Sequence, residues 1–265
     1  MVFLKIFIFT RKSLFISFFI ICIIIIIFIC KFSNSLAVNL SSNNKLSNDF
    51  IAQITNLTKG KEKVAYLTFD DGPSLVTPKI LDILSKENIK ASFFVIGKSV
   101  EAHPEIVKRT YEEGHYIANH TYSHNNSILY KSSESFANEV KNTDLAIGKA
   151  IGVEDYSSLI FRFPNGFMSP QYKAKKKEMA KLLSQMNYTY IDWNCLNNDS
   201  VKKYTSIQLL NNLKQSSKNK DTLVILMHDT KDVSNSSLAL EDSIEYLKSI
   251  GYSFRNFYSI INDMK

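Results

Sequence analysis

The sequence predicts an α/β domain on a mostly parallel sheet, with enough strand–helix units to close into a barrel, and one membrane-spanning helix ahead of it. Three observations carry that prediction. From Lys63 onward, short apolar runs alternate with longer segments of helical period, the signature of successive βα units. Polar residues able to do chemistry fall at the C-terminal ends of those runs, the edge where parallel α/β folds gather their ligands. Ahead of them, Leu14–Cys30 is almost unbroken in its apolar character.

That apolar stretch is preceded by Arg11 and Lys12 and closed by Lys31. It exceeds the ~7–15 residues of a signal-peptide core and approaches the ~17–25 that span a bilayer. A basic flank stays in the cytoplasm, so residues 1–31 are expected to be a cytoplasmic tip and signal-anchor, single-pass in the cell membrane with the rest outside. The alternative is a secreted chain, because Ser35-Leu36-Ala37 offers small residues for cleavage. Residues 32–62, rich in Ser, Asn and Lys, are expected to be a stalk. The domain proper is expected over 63–265.

Within it, Val64–Phe69 is a strand and Thr77–Glu87 a helix with Ile80, Leu81, Ile83 and Leu84 on its apolar positions. Ala91–Ile96 is a strand ended by Gly97, Ile106–Glu113 a helix and Tyr116–Asn119 an extended run. Ser132–Ile151 is a long helix and Leu159–Phe163 a strand. Pro170–Met186 is a helix whose Lys173 and Lys175–Lys177 form a solvated face. Tyr188–Trp193 is a strand, Ser206–Ser216 a helix, Thr222–Met227 an apolar strand, Ser236–Ile250 a helix and Tyr252–Phe254 a closing strand.

Composition narrows the class. The chain is 45% hydrophobic and 22% charged, as globular proteins are. Of its net charge of +7, four positive charges (Lys5, Arg11, Lys12 and Lys31) lie in the first 31 residues, which hold no acids, so the remainder carries only +3. That excludes a nucleic-acid footprint. Cys22 and Cys30 lie in the apolar segment and Cys195 is alone in the domain, so the core must be stable without an internal disulfide.

Thr68-Phe69-Asp70-Asp71-Gly72-Pro73 places two adjacent carboxylates where a strand opens into a turn. They repel unless a cation, a basic partner or a shared proton holds them; an Asx-type turn is the plainer reading. His120-Thr121-Tyr122-Ser123-His124 spaces two imidazoles four apart, so one helical turn would aim both at a single metal, unless they are simply polar surface residues. No Glu follows His120, so the third ligand and the base must come from elsewhere, and Asp70-Asp71 can supply one of each. His103 and His115 belong to no such arrangement and are expected to be structural. Arg162, at a strand end, fits an ion pair with Asp70 that would fix its orientation. The Pro164-Asn165-Gly166 turn can present a backbone N–H to a tetrahedral intermediate. His228 ends the Leu226-Met227-His228 run as a general acid or as a core-edge histidine bonded to a carbonyl.

Taken together, Thr68–Gly72, His120–His124, Arg162–Gly166 and Leu226–His228 resemble, in order, the motifs of polysaccharide deacetylases, the NodB-homology or carbohydrate esterase family 4 domain. The resemblance covers about Lys63 to the C-terminus. It implies a distorted (β/α) barrel, a divalent metal, usually Zn2+, and hydrolysis of N-acetyl groups on a glycan such as peptidoglycan or a chitin-like N-acetylglucosamine polymer. It implies Asp70 as base, Asp71, His120 and His124 as metal ligands, Arg162 as the residue orienting Asp70, and His228 as acid. Pro164, Asn165, Trp193 and Leu226 are then expected to line the substrate groove. Two departures stand out: Asn165 replaces a common aromatic, and the Asp-Trp motif aligns either on Asp199-Ser200, which lacks the Trp, or on Asp192-Trp193. Asp199, in the loop beyond the strand, is the better partner for His228. An O-acetyl esterase on the same site and a catalytically weak glycan-binding protein are the alternatives.

Overall fold

The computed structural model describes residues 46–230 and 235–262. The expected anchor lies outside the described residues, as does the expected stalk up to residue 45. No helix among the described residues is long and apolar enough to cross a membrane.

The order of elements begins with helix α1 (Asn48–Asn56), a 3-10 turn (Leu57–Lys59), strand β1 (Val64–Gly72), α2 (Thr77–Lys86) and β2 (Ser92–Val95). Two helices, α3 (Gly97–Ala102) and α4 (Pro104–Glu112), lead to β3 (Tyr116–Asn119), and α5 (Asn126–Leu129) and α6 (Ser133–Ile151) to β4 (Ile160–Phe161). Then come α7 (Lys173–Gln185), β5 (Thr189–Tyr190), β6 (Cys195–Leu196), α8 (Ser206–Ser216) and β7 (Thr222–His228). The chain finishes with α9 (Asn235–Ser249), β8 (Ser253–Phe254) and α10 (Tyr258–Asn262).

All the strand pairs are parallel, in the order β5-β4-β3-β2-β1-β7-β6, with β8 added beside the start of β1. The expected barrel therefore does not close. β5 and β6 are neighbours in sequence but lie at opposite ends of the sheet, which curls into an open half-barrel. The expected strand Tyr188–Trp193 is cut short for the same reason. Ile191 still donates to Phe161 on one side, whereas Asn194 already donates to Val224 on the other, and the chain between them crosses the seam.

β1 explains why the sheet is buried on both faces. Ala65, Leu67 and Phe69 join Phe93, Ile117, Leu223, Ile225 and Met227 in one cluster with Leu81, Leu84, Ile147 and Ile244 from the surrounding helices. The alternate residues Tyr66, Thr68 and Asp70 point to the other face, where Tyr66 stacks on Phe257 and Thr68 meets Arg162.

The boundary expected at residue 63 also moves. Helix α1, N-capped by the Ser47 hydroxyl, buries Phe50 and Ile54 completely, so the folded unit begins well inside the segment expected to be a stalk. Its polar surface residues hid the two apolar side chains one turn apart that anchor it.

Candidate active site

The site is built where β1, β3, β4 and β7 end. In β1 the register with β2 shifts between Asp70 and Gly72, so Asp71 is a bulge residue, with φ of 73°. Strict alternation would send the two carboxylates to opposite faces; the bulge lets both serve one mouth. Gly72 follows because a Cβ there would come within 2.4 Å of the Asp229 carboxylate.

The two histidines do meet, but not on a helical turn. Residues 120–124 form an irregular loop in which Thr121 and His124 have φ of 75° and 50°. It brings the imidazole centroids to 5.0 Å. Asp71 Oδ1 lies 3.4 Å from His120 Nε2 and 3.3 Å from His124 Nε2. His120 Nδ1 is 2.9 Å from the Arg162 carbonyl, which can only accept, so Nδ1 carries a proton and Nε2 is turned toward Asp71.

Whether this triad fits a metal can be judged from Asp71. One ligand atom from each of Asp71, His120 and His124 falls within 4.8 Å of the others, and Asp71 Oδ1 is buried with no hydrogen-bond partner. A buried carboxylate oxygen left so is costly unless a cation completes it. Burial works to raise the Asp71 carboxyl, but the closeness of His120, with the charges of His124 and His228, holds it well below the usual range. The set fits a divalent ion with two imidazoles and one carboxylate.

Asp70 takes a different position. Its Oδ1 accepts from Arg162 Nη1 at 2.8 Å, and Oδ2 lies 3.8 Å from His120 Nε2. Arg162 is fully buried and uses four of its donors: besides the bond to Asp70, Nη1 donates to Thr68 Oγ1, Nε to the Ile191 carbonyl and Nη2 to that of Asp192. Its guanidinium lies 3.9 Å from the centre of the Phe94 ring. So many fixed contacts leave Asp70 one geometry.

Across the cleft, His228 pairs with Asp70 in the parallel register of β1 and β7, and Leu226 with Thr68, so both face the interior side. Asp199 holds His228 twice, through Oδ1 to Nδ1 at 2.7 Å and Oδ2 to the backbone N–H at 2.7 Å. Burial works to lower the imidazole, but the Asp199 bond and charge, with Asp70 and Asp71, push it up to about 9. Of the two Asp residues, Asp199 is the one in contact with His228. Asp192 instead caps the next loop, accepting from the N–H groups of Phe167 and Met168.

Of the residues expected to line the groove, Leu226 is buried and Trp193 half-buried. Pro164 is buried and Asn165 exposed, with φ of 62°. Gly166, at φ 76°, packs so closely on Trp193 that a Cβ would be 2.8 Å from the indole. The Gly166 N–H is already donated to Phe163 O and Pro164 has none, so Asn165 carries the N–H this turn can offer. His115 is structural as expected: it is buried and accepts from the Ala91 N–H, and burial drops it to about 3.

Sequence reasoning missed two supporting residues. Lys176, taken for part of a solvated face, is buried and donates to the Gly166 carbonyl at 2.5 Å; within a run of lysines nothing marked it. Asp229 is fully buried and accepts from Ser74 Oγ and Thr77 Oγ1, while its N–H reaches the Asp70 carbonyl. Burial pushes it up to about 6. Its place next to His228 was the available signal.

Comparison with known proteins identifies the family. The polysaccharide deacetylase family model matches residues 58–191. The peptidoglycan-N-acetylmuramic acid deacetylase PdaA of Bacillus subtilis is 30% identical over 197 residues, 74% of this chain and 70% of its own length. A peptidoglycan-N-acetylglucosamine deacetylase of Bacillus cereus is 35% identical over 208 residues, 77% of this chain and 70% of its own. The structure of a Streptococcus mutans CE4 esterase superposes with a TM-score of 0.68 at 28% identity, over 82% of this chain and 94% of that one. Sequence and curled parallel sheet thus lead to one family, and the chain belongs to the polysaccharide deacetylases, hydrolases acting on N-acetyl amide bonds.

Proposed function

We propose that the protein removes N-acetyl groups from a cell-wall glycan, peptidoglycan or a chitin-like N-acetylglucosamine polymer, with a divalent ion at Asp71, His120 and His124. The single observation that carries this reading is the convergence of three differently held groups at one rim: a triad with an orphaned buried oxygen, a carboxylate fixed by Arg162, and a histidine fixed by Asp199. When bound, such an ion, Zn2+ being the expected one, polarises the acetamide carbonyl and acidifies water.

The chain's own groups perform the proton transfers. Asp70 takes a proton from the attacking water at Oδ2, the oxygen Arg162 leaves open. The Asn165 N–H donates to the developing oxyanion. His228, whose Nδ1 is engaged by Asp199, delivers a proton from Nε2 to the leaving amine, so the amide C–N bond breaks to acetate and a free amino sugar. Pro164, Trp193 and Leu226 wall the sugar. The apolar Leu14–Cys30 segment supports a membrane-held enzyme working outside the cell membrane.

The test is acetate release by the full chain from peptidoglycan, chitin oligomers and acetylxylan, with and without chelator. Release from an N-acetylated glycan that a chelator stops and added zinc restores is the expected result. Release from acetylxylan alone would assign the same side chains to an O-acetyl esterase, and glycan binding without release would make the protein a lectin-like relative.

A further inference from the structure

Helix α6 carries two buried acids, Glu139 and Asp144, for which no basic partner exists among the described residues. Buried carboxylates without a cation are retained only where hydrogen bonds compensate them. Here both bonds of Glu139, and the Asn119 bond of Asp144, lead toward the loop that carries the histidine pair.

Glu139 Oε2 accepts from both the N–H and the hydroxyl of Ser123, at 2.8 and 2.9 Å. Asp144 Oδ1 accepts from Asn119 Nδ2 at 2.8 Å, and Asn119 Oδ1 in turn accepts the Thr121 N–H at 3.0 Å. Asp144 is completed by Ser158 and Tyr188. The two acids therefore grip the loop on either side of Thr121 and Tyr122, inside the His120–His124 interval. The loop needs such a grip, because Thr121 and His124 both sit at positive φ, a conformation non-glycine residues adopt only when the surroundings hold it. On the opposite side Gly97 leaves no slack: a Cβ there would be 2.4 Å from the Tyr122 ring.

We propose that Glu139 and Asp144 are positioning residues for the metal site, a clamp on α6 that holds His120 and His124 at ligating separation. The proposal rests on the metal reading given above. It assigns to a helix remote from the rim the job that a helical turn performs in other two-histidine sites.

The test measures zinc affinity of the full chain in detergent by competition with a chromophoric chelator, alongside the thermal midpoint of the metal-free protein. Glu139→Met should weaken zinc binding about 10–100-fold, the range for residues supporting metal ligands. Glu139→Gln, whose amide oxygen can accept both Ser123 bonds, should restore binding to within a few-fold. Asp144→Asn should fall between them. Loss of thermal stability with unchanged zinc affinity would make α6 merely structural and overturn the clamp. An equal loss in Glu139→Met and Glu139→Gln would also overturn it, since charge and not loop geometry would then be at work. If Glu139→Met does not fold, Ser123→Ala, which removes one of the two bonds from the loop side, should weaken zinc severalfold, and an unchanged affinity there counts against the clamp. A wild-type chain that binds no zinc would overturn the metal reading itself, and the clamp with it.

Discussion

Two histidines of the site, His120 and His228, are both held through Nδ1, but by acceptors of different charge. Each engages a fixed acceptor through Nδ1 and so turns Nε2 toward the site. For His120 that acceptor is a neutral backbone carbonyl, and two further ligand groups stand within reach of Nε2. For His228 it is the Asp199 carboxylate, and the imidazole is pushed up to about 9. A neutral acceptor leaves an imidazole suited to a cation; an ionic one keeps it protonated near neutral pH. In the proposed reaction one residue type is thus ligand on one wall and acid on the other, and the partner behind the ring makes the difference.

The largest effect should come from breaking the ligand wall. Asp71→Ala is expected to abolish zinc binding and acetate release together, measured by metal analysis and acetate assay on the same preparation. A full complement of zinc in that variant would remove Asp71 from the metal site. Next, Asp70→Asn should lower kcat by roughly 10²–10⁴-fold, the usual contribution of a general base, while zinc content stays at the wild-type level. Parallel loss of metal would mean that the two neighbouring carboxylates do not divide their work.

The acid wall is tested through pH. His228 must be protonated to act, so activity should fall as pH rises through about 9. Asp199→Asn removes the chief group raising it, and the imidazole should return toward its ordinary value of about 6.5. The alkaline limb of the kcat profile should therefore move down by about two units. An unmoved limb would separate that limb from His228. Stability follows the same sign: the His228–Asp199 pair contributes fully below about pH 6.5 and loses its contribution as pH rises through about 9. The smallest effect belongs to the groove wall. Asn165 sits at φ 62°, a region Asn enters more readily than an aromatic does. Asn165→Tyr should cost about 1–2 kcal/mol in a denaturation midpoint, with KM changing more than kcat. A variant as stable as the parent would show that the departure from the family's aromatic is not a backbone requirement.

Much of this site was legible because its groups sit in contiguous runs at strand ends. Asp70-Asp71, the His120/His124 pair, Arg162 and His228 each announce themselves within five residues, and parallel topology brings strand ends together. What was not legible depends on contacts across the chain. The bulge at Asp71 is a matter of register with β2, which a period of two in one strand does not reveal. The geometry of His120–His124 was misjudged because spacing by four fits a helical turn as well as a loop held from outside. Lys176 and helix α1 failed for a related reason: their buried atoms lie among polar neighbours, and only the packed fold distinguishes them from a solvated face. Closure of the sheet was overestimated because counting strands says nothing about whether the two edges meet.

That unclosed edge has a consequence for how the enzyme fails. The Ile191 and Asp192 carbonyls at the seam are held by the same guanidinium that holds Asp70. Arg162 is a rivet through both, standing in for the strand pairing that β5 and β6 never make. Prying the seam apart and misplacing the base are therefore one event. The gap between β5 and β6 and the carboxylate proposed as base share a single side chain, so loosening the first disturbs the second.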